Sequence, residues 1–386
     1  MRDVSIVGIG QTPVRRRHEA SLRELGAGVV AAAMAAAGVE RVDALYAGNM
    51  LADELQNQKH IASLIADEAG LAGVEALQVR AATATGAAAL RLATLAVASG
   101  EADLAVAVGV EKMSDGAATQ ALAKALDAER EVPDGKTLVG QNALMMALYF
   151  DAFRPPADAL AHFAVNAHAN AGGNPNAIFR DRPITVADVL SSRLIVPPIR
   201  LLDCSPICDG AAAVLLAPTA QARRYTPHPV HLLASSVATD RFRLADRPDP
   251  LHLAAARLSL TRALDRARLT LADIDFFEVH DAFGIMACLL LEATGFAARG
   301  QGWRLAAEGE IGRGGRLPIS VMGGLKGRGH PIGATALYQT CEIVQQLTGE
   351  AGPNQLPGAD IALLQSVGGA ATTVLTHLFA APDFRP

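Results

Sequence analysis

The chain has 386 residues, with 34 Lys and Arg against 39 Asp and Glu and a net charge of −5. This balance excludes a basic surface for nucleic acid and a polybasic membrane patch, so an anionic ligand must be met by local dipoles or a few arginines. Hydrophobic residues make up 51% of the chain, which excludes disorder, and at roughly 100 to 200 residues per domain the length predicts two or three domain-sized units.

The four cysteines are too few for a disulfide framework in a chain of this length: Cys204, Cys208, Cys288 and Cys341. Cys204 and Cys208 have no second close pair of ligands at zinc spacing, so no metal site is expected. The N-terminus lacks the order of a signal peptide, and the longest uncharged apolar stretch, 25–39, is shorter than the roughly 20 residues of a membrane span. We therefore expect a cytoplasmic protein without a membrane span.

Short apolar strands alternate with Ala-rich helices in the first 110 residues. The predicted strands are 4–8, 44–47, 76–80 and 104–110. The predicted helices are 22–38, 58–69 and 87–99, the last one stopped by Gly100. This alternation predicts α/β layers.

A similar order returns in the second part of the chain. The predicted elements there are helix 251–267, strand 276–279, helix 283–294, helix 334–347 and strand 361–365. The sequence VERVDALY at 39–46 resembles LADIDFF at 271–277, which indicates a duplication with a period of about 230 to 260 residues. Two similar α/β halves are expected, 1–225 and 226–386. Residues 114–200 lack the alternation and are predicted to form an inserted, substrate-facing subdomain.

Six segments in this order resemble the thiolase superfamily, and within it the sterol-carrier-protein-2 type of thiolase. They are 79–90 (VRAATATGAAAL), 109–114 (GVEKMS), 174–213, 278–283 (EVHDAF), 323–333 (GGLKGRGHPIG) and 365–369 (QSVGG). The resemblance implies a thiolase fold of two duplicated βαβαβαββ halves, which form a five-layer αβαβα core with an inserted loop subdomain. It also implies a homodimer or homotetramer.

The resemblance further implies that the ligand is coenzyme A or an acyl-CoA, bound as a substrate, and that no cofactor is tightly bound. Many bacterial members of this type resemble components of complexes with a small zinc-ribbon and OB-fold protein that binds acyl-CoA. Such a partner is therefore an expectation for this chain as well, whereas nucleic acid is not.

Two positions depart from the family pattern. Thr83 stands where such enzymes place a nucleophilic cysteine, and Ala282 stands where this type has a second cysteine that moves a proton. An alcohol cannot be held as an anion at neutral pH, and an alanine cannot exchange protons, so neither residue is expected to replace the thiol chemistry. Capping of the helix 87–99 by Thr83 or Thr85 is the structural alternative, and Cys288 is expected in the core.

The resemblance further implies a set of residues that hold and polarise a thioester. The resemblance assigns His330 to the family's catalytic histidine, His280 to binding of the thioester oxygen, and the backbone at Gly368 and Gly369 to an oxyanion loop. Ser366 matches another catalytic position, although a small polar residue at a strand end is an equally good interpretation. The expected substrate-binding residues are Gly323, Gly324, Gly369, Phe283, Met113, Arg180 and Arg182.

Three functions remain open on this basis. The first is an enzyme that makes or breaks a carbon–carbon bond next to an acyl-CoA thioester without a cysteine acyl-enzyme, for example by retro-aldol cleavage of a 3-hydroxyacyl-CoA. The second is a conventional acetyl-CoA acyltransferase, and the third is a non-catalytic subunit that binds acyl-CoA or lipid. The acyl chain and the direction of reaction are left open.

Overall fold

The computed structural model describes residues 1–384. Its strands are β1 Val4–Gln11, β2 Ala44–Gly48, β3 Glu75–Val79, β4 Ala105–Lys112, β5 Leu194–Val196, β6 Ile199–Arg200, β7 Asp209–Pro218, β8 Val230–Thr239, β9 Phe276–Glu278, β10 Ile361–Gly368 and β11 Thr373–Ala380. Its helices are α1 Leu22–Ala36, α2 Ala52–Leu55, α3 Ile61–Glu68, α4 Thr85–Ser99, α5 Ala118–Ala123, α6 Leu138–Phe153, α7 Ala161–Ala171, α8 Val186–Ser191, α9 Thr219–Ala222, α10 Ala254–Ala267, α11 Gly284–Thr294, α12 Gly302–Ala307 and α13 Thr335–Leu347.

One mixed sheet runs through both halves in the order β3-β2-β4-β7-β1-β8-β11-β10-β9. The strands of the first half pair among themselves, and so do those of the second half. The halves join where β1 pairs with β8 over three residue pairs, from Val4 with Leu232 to Ile6 with Val230. The sheet of each half therefore ends at a short common seam.

Alternate side chains along the strands enter different cores, because successive residues of a strand point to opposite faces. In β7, Leu216 faces the central core and Leu215 an outer one, and in β10 Leu364 and Leu363 divide in the same way. Helices α4 and α13 form the middle layer, α1 and α3 cover the first half, and α10 and α11 cover the second. This arrangement is the predicted five-layer αβαβα thiolase fold with two similar halves.

The middle layer explains the apolar, Ala-rich character of α4. Residues 82–99 are long and apolar enough by composition to cross a membrane, and 67% of this stretch is buried in the protein. Small side chains let the helix lie closely between the strands, and Gly100 ends it with a φ of +96°. Cys288 is buried in α11, as predicted.

The sequence prediction was incomplete in two regions. Strands β7, β8 and β11 were not predicted. In β7, the run of small and apolar residues in DGAAAVLLAP does not distinguish a strand from a buried helix. The inserted segment was predicted only to lack the strand–helix alternation, and its helices α5, α6, α7 and α8 were not predicted. The polar and Pro-rich composition of the segment as a whole concealed these helices, although α6 alone has 16 residues.

Candidate active site

A cavity of about 870 Å³ lies where the inserted segment meets the two halves. Residues from all three parts of the chain line it, and several of them were predicted site residues. Those predicted residues are Thr83, Met113, Arg182, His280, Ala282, Phe283, His330 and Gly369. Thr83, His280 and His330 are each more than nine-tenths buried, so they form the enclosed end of the cavity.

The two histidines meet at this enclosed end. His280 follows β9, and His330 lies on the loop before α13. Their ring centroids are 5.3 Å apart and the ring planes meet at 87°. The fold therefore brings together two imidazoles that are 50 positions apart in the sequence.

The hydrogen bonds of His330 fix its tautomer. Its Nδ1 lies 2.7 Å from Oγ1 of Thr335, and that hydroxyl donates its own hydrogen to the carbonyl of Pro331 at 3.1 Å. With the hydroxyl hydrogen directed at Pro331, the ring hydrogen is assigned to Nδ1 and Nε2 is the unprotonated nitrogen. Burial, reinforced by His280 and Arg328, holds the pKa of His330 well below its usual value, so the ring is neutral and able to accept a proton.

His280 is also held neutral. Burial, with a further effect of the nearby Lys326 ammonium, lowers the pKa of His280 to about 3. Within residues 1–384, its Nδ1 is buried without a hydrogen-bond partner. The adjacent Asp281 fixes this segment, since its Oδ1 accepts the N–H of Leu325 at 2.7 Å and its carbonyl accepts from Lys326 Nζ.

Gly323 and Gly324 lie beneath the histidine segment rather than along the cavity. Gly324 has a φ of +53°, and a Cβ there would lie 2.6 Å from Oδ1 of Asp281. Gly323 has a φ of +107° and packs against Ala171 of α7. Gly324 therefore packs against Asp281 and Gly323 packs against α7, so these two predicted substrate-binding residues support the histidine segment from below.

Thr83 precedes α4 and points towards the second half. Its hydroxyl donates to the carbonyl of Val367 at 2.5 Å. The expectation that Thr83 caps α4 is wrong, because the cap position is Ala84 and no side chain caps the helix. The hydroxyl of Thr85 instead accepts from the N–H of Ala81 and donates to the carbonyl of Ala82.

A thiol lines the cavity beside the position of Ala282. Cys204 forms a backbone bridge with Phe283, and the N–H of Ser205 donates to the carbonyl of Ala282 at 2.9 Å. Burial raises the pKa of the Cys204 thiol to about 12, so the thiol is protonated at neutral pH. From the sequence, Cys204 was weighed only as a metal ligand, and no motif indicated that it reaches this cavity.

Comparisons with known proteins identify the family. Residues 4–196 match the family model "Thiolase, N-terminal domain", and residues 236–381 match "Thiolase C-terminal domain-like". The chain belongs to the thiolase family.

Three similar proteins cover nearly all of this thiolase-family chain. It is 42% identical to the "Acetyl-CoA acetyltransferase" of Methanothermobacter thermautotrophicus, over 98% of this chain and 100% of that protein. It is 30% identical to "Sterol carrier protein 2" of Bos taurus, over 98% of this chain and 73% of that protein. A solved structure entitled "Ltp2-ChsH2(DUF35) aldolase" has a TM-score of 0.87 and 25% identity, over 99% of this chain and 98% of that one.

The thiolase-family loop after β10 is only partly exposed to the cavity. Gly369 lines the cavity and has a φ of +67°. Gly368 is the last residue of β10, where a Cβ would lie 2.5 Å from the carbonyl oxygen of Ala81. Ser366 is buried inside β10, and its hydroxyl has no hydrogen-bond partner among the described residues.

Arginines are present at the outer part of the cavity. Arg182 lines it, and its carbonyl lies 2.8 Å from Nδ1 of His168. Arg16 and Arg193 also line the cavity, which the sequence did not indicate, whereas Arg180 is exposed outside it. Within residues 1–384, no group of three or more His, Cys, Asp or Glu side chains is arranged to hold a metal ion.

Proposed function

We propose that this thiolase-family chain acts on CoA thioesters and makes or breaks the carbon–carbon bond next to the thioester without a cysteine acyl-enzyme. The observation that carries this proposal is the pair of neutral imidazoles, His280 and His330, beside Thr83 at the enclosed end of the cavity. Such a pair can donate a hydrogen bond to one oxygen and accept a proton from another group.

The side chains near the imidazoles argue against an acyl-enzyme. A cysteine nucleophile acts as the thiolate, and a threonine needs a base that removes its proton. The Thr83 hydroxyl already donates to Val367, and it must break that bond before it can attack a thioester. Cys204 has a pKa raised to about 12 by burial, so it offers almost no thiolate at neutral pH.

A retro-aldol reaction fits these groups. Nε2 of His330 takes the proton of a 3-hydroxyl group, the C2–C3 bond breaks, and its electron pair forms the enolate of the thioester. A neutral His280 ring carries one N–H, which can donate to the enolate oxygen. The proton then returns from His330 to C2, so that the products are a carbonyl compound and a shortened acyl-CoA. The 0.87 TM-score to a structure entitled an aldolase supports this choice.

The outer arginines suit the phosphate groups of CoA. Arg16, Arg182 and Arg193 carry permanent positive charges on a chain whose net charge is −5. Local arginines can therefore meet an anionic ligand that the whole molecule would repel. We assign the phosphate end of CoA to this part of the cavity, with the thioester near the histidines.

The second candidate is a conventional acetyl-CoA acyltransferase. It is favoured by the 42% identity to a protein named acetyl-CoA acetyltransferase. This candidate needs an acyl group carried by the protein, and among the thiol and hydroxyl side chains at the cavity we consider Thr83, at the position of the family's nucleophile, and Cys204, the thiol. The acyltransferase is the weaker candidate, because the Thr83 hydroxyl donates to Val367 and the Cys204 thiol is protonated at neutral pH.

Two measurements on the purified protein separate the candidates. With a 3-hydroxyacyl-CoA, we expect release of a carbonyl compound and a shortened acyl-CoA, detected by mass spectrometry. After incubation with acetyl-CoA, we expect an intact mass without an added acetyl group. An acetyl group mapped to Thr83 or Cys204 would contradict the proposal and favour the acyltransferase. Binding of acyl-CoA without either reaction would favour the third hypothesis, a non-catalytic subunit that binds acyl-CoA.

For the assembly, we propose a homodimer in the cytoplasm with a small zinc-ribbon and OB-fold partner. Strand β3 is an edge of the sheet, and its Leu77 is 52% exposed, which suits pairing with a second copy. Exposed Leu201 and Ile207 at the cavity suit an apolar contact with the partner. Light scattering should give a dimer, and Leu77→Glu should give a monomer. A wild-type monomer would contradict the dimer.

A further inference from the structure

A buried carboxylate connects the first half to the loop that carries His330. Glu111 lies in β4 and has no exposed surface. Its Oε1 accepts from Asn49 Nδ2 at 2.9 Å and from the N–H of Leu51 at 3.1 Å. Its Oε2 accepts from the N–H of Met50 at 2.9 Å and from the N–H of Gly333 at 3.0 Å. All four donors thus depend on one carboxylate, and only Gly333 belongs to the second half.

The carbonyl of Gly333 fits among three glycines of the first half. A Cβ added to Gly48, Gly86 or Gly109 would lie 3.2, 2.8 or 2.3 Å from this carbonyl oxygen. Real side chains do not approach a carbonyl within 3.0 Å, so the contact requires glycine at positions 86 and 109, whereas a Cβ at position 48 would be tight. The loop is therefore seated against the first half at both its N–H and its carbonyl.

These contacts around Gly333 involve both segments that carry candidate site residues. Gly333 follows His330 by three residues, and the His330 ring is tied to the same loop through Thr335. Gly86 belongs to the first turn of α4, three residues after Thr83. The contacts of Glu111 and the glycines therefore join the two segments that carry His330 and Thr83, although Glu111 itself lies outside the cavity.

We propose that Glu111 is a positioning residue that holds the His330 loop against the first half and so sets the position of His330 relative to residue 83. The inference rests on the proposed function in taking His330 and residue 83 as parts of one site. Its test uses a reaction that does not need the native substrate.

Glu111→Gln removes the carboxylate that accepts these four hydrogen bonds, with little change in side-chain volume. Glutamine has one acceptor oxygen and one NH₂ group, whereas Glu111 presents two oxygens that each accept two hydrogen bonds. Either orientation of the amide directs the NH₂ group at two N–H donors. Because a buried donor that loses its acceptor is costly, we expect the carboxamide to shift from the position of the carboxylate in either orientation, and the Gly333 N–H bonded to it to shift as well.

The matched control is Glu292→Gln in α11. Glu292 also holds backbone amides, since it accepts from the N–H of Gly300 and of Gly302, both at 2.9 Å, and from the hydroxyl of Tyr149 at 2.6 Å. Glu292, Gly300 and Gly302 lie in the second half and Tyr149 lies in α6 of the inserted segment, and none of them lines the cavity. The control therefore reports the general cost of replacing a carboxylate that holds backbone N–H groups.

The experiment uses Thr83→Cys as the background and measures alkylation of the introduced thiol by iodoacetamide against pH. Peptide mass spectrometry separates this thiol from Cys204. In the background, His330 and the start of α4 should hold the midpoint below the ordinary thiol value of about 8.5. Adding His330→Ala should raise the midpoint. Adding Glu111→Gln should raise it in the same direction and slow acetylation by acetyl-CoA at least about tenfold.

The outcomes distinguish this inference from the proposed function. Glu292→Gln should leave the midpoint unchanged, and none of these changes should alter CoA affinity by more than about twofold, because the phosphate end binds elsewhere. A midpoint moved by His330→Ala but not by Glu111→Gln would overturn the role of Glu111 alone. A midpoint moved by neither would overturn the shared site, and the inference with it. If the Gln variant does not fold, Glu111→Asp should give a smaller shift, and no shift would overturn the inference.

Discussion

The rings of His280 and His330 lie edge to face, with 5.3 Å between their centroids and 87° between their planes. Burial lowers the pKa of both rings, and a positive charge on one ring disfavours a positive charge on the other. A single proton can therefore move to one ring while the other remains a neutral hydrogen-bond donor. This relationship makes the pair suited to proton transfer beside an oxyanion.

His330→Ala should abolish carbon–carbon cleavage and leave CoA binding intact. Loss of one general base typically lowers a rate by about a hundredfold to ten-thousandfold. We expect a fall in kcat of that size, measured by product mass spectrometry, with the Kd for CoA from calorimetry within about twofold of the wild type. His60→Ala, at an exposed position, is the control. Retention of the wild-type kcat would contradict the role given to Nε2.

Thr83→Cys should introduce acetylation that the natural chain lacks. The start of α4 and the neighbouring His330 can stabilise a thiolate at this position. We expect a mass increase of one acetyl group after acetyl-CoA, while thiolysis of acetoacetyl-CoA remains weak because Ala282 cannot move a proton. The combination with Ala282→Cys should exceed either single change. If the double variant is not acetylated, the cavity lacks the geometry for thioester attack and the binding subunit becomes the better hypothesis.

Arg182→Ala should weaken CoA binding, and Arg180→Ala should not. The two arginines are close in sequence and both exposed, but only Arg182 lines the cavity. A hydrogen bond to a charged group is worth about 1.5 to 3 kcal/mol and less where it is exposed, so we expect a loss of about threefold to tenfold in affinity by calorimetry. Equal losses in the two variants would mean that the phosphate groups lie outside this cavity.

His377→Leu should stabilise the protein more strongly at low pH. His377 is buried in β11, where burial and Arg91 lower its pKa to about 3. The unfolded state takes up a proton below its pKa of about 6.5 and the folded state does not, so His377 costs stability as the pH falls below that value. Urea unfolding should show a gain that is about 2 kcal/mol larger at pH 5 than at pH 7.5. An equal gain at both pH values would contradict the neutral, buried ring.

Most elements of the layered core could be predicted from their apolar patterns. Strand 4–8 continues to Gln11 and helix 22–38 ends at Ala36, which are ordinary errors at the ends of elements. Strand β8 was missed because its sequence, VHLLASSVAT, mixes small, polar and apolar residues on both faces, so no period of two is visible. Its alternation of buried and half-buried residues follows from tertiary packing.

The site was predicted only where a motif marks it. His280 and His330 stand in recognisable segments, and the fold brings them together. Cys204 and Arg193 reach the same cavity through the path of the inserted segment, which local sequence does not encode. Ser366 shows the reverse case, because its place in a motif did not reveal that its hydroxyl points into packed protein.

The position of β1 in the sheet affects how the protein can form during synthesis. β1 pairs with β7 on one side and with β8 on the other. During synthesis β1 therefore has no partner until residues 209–218 have been made, and its second edge waits for residues 230–232. An unpaired apolar strand readily joins other chains. Until β7 emerges, VSIVGIG is an unpaired apolar segment that can pair with neighbouring polypeptides.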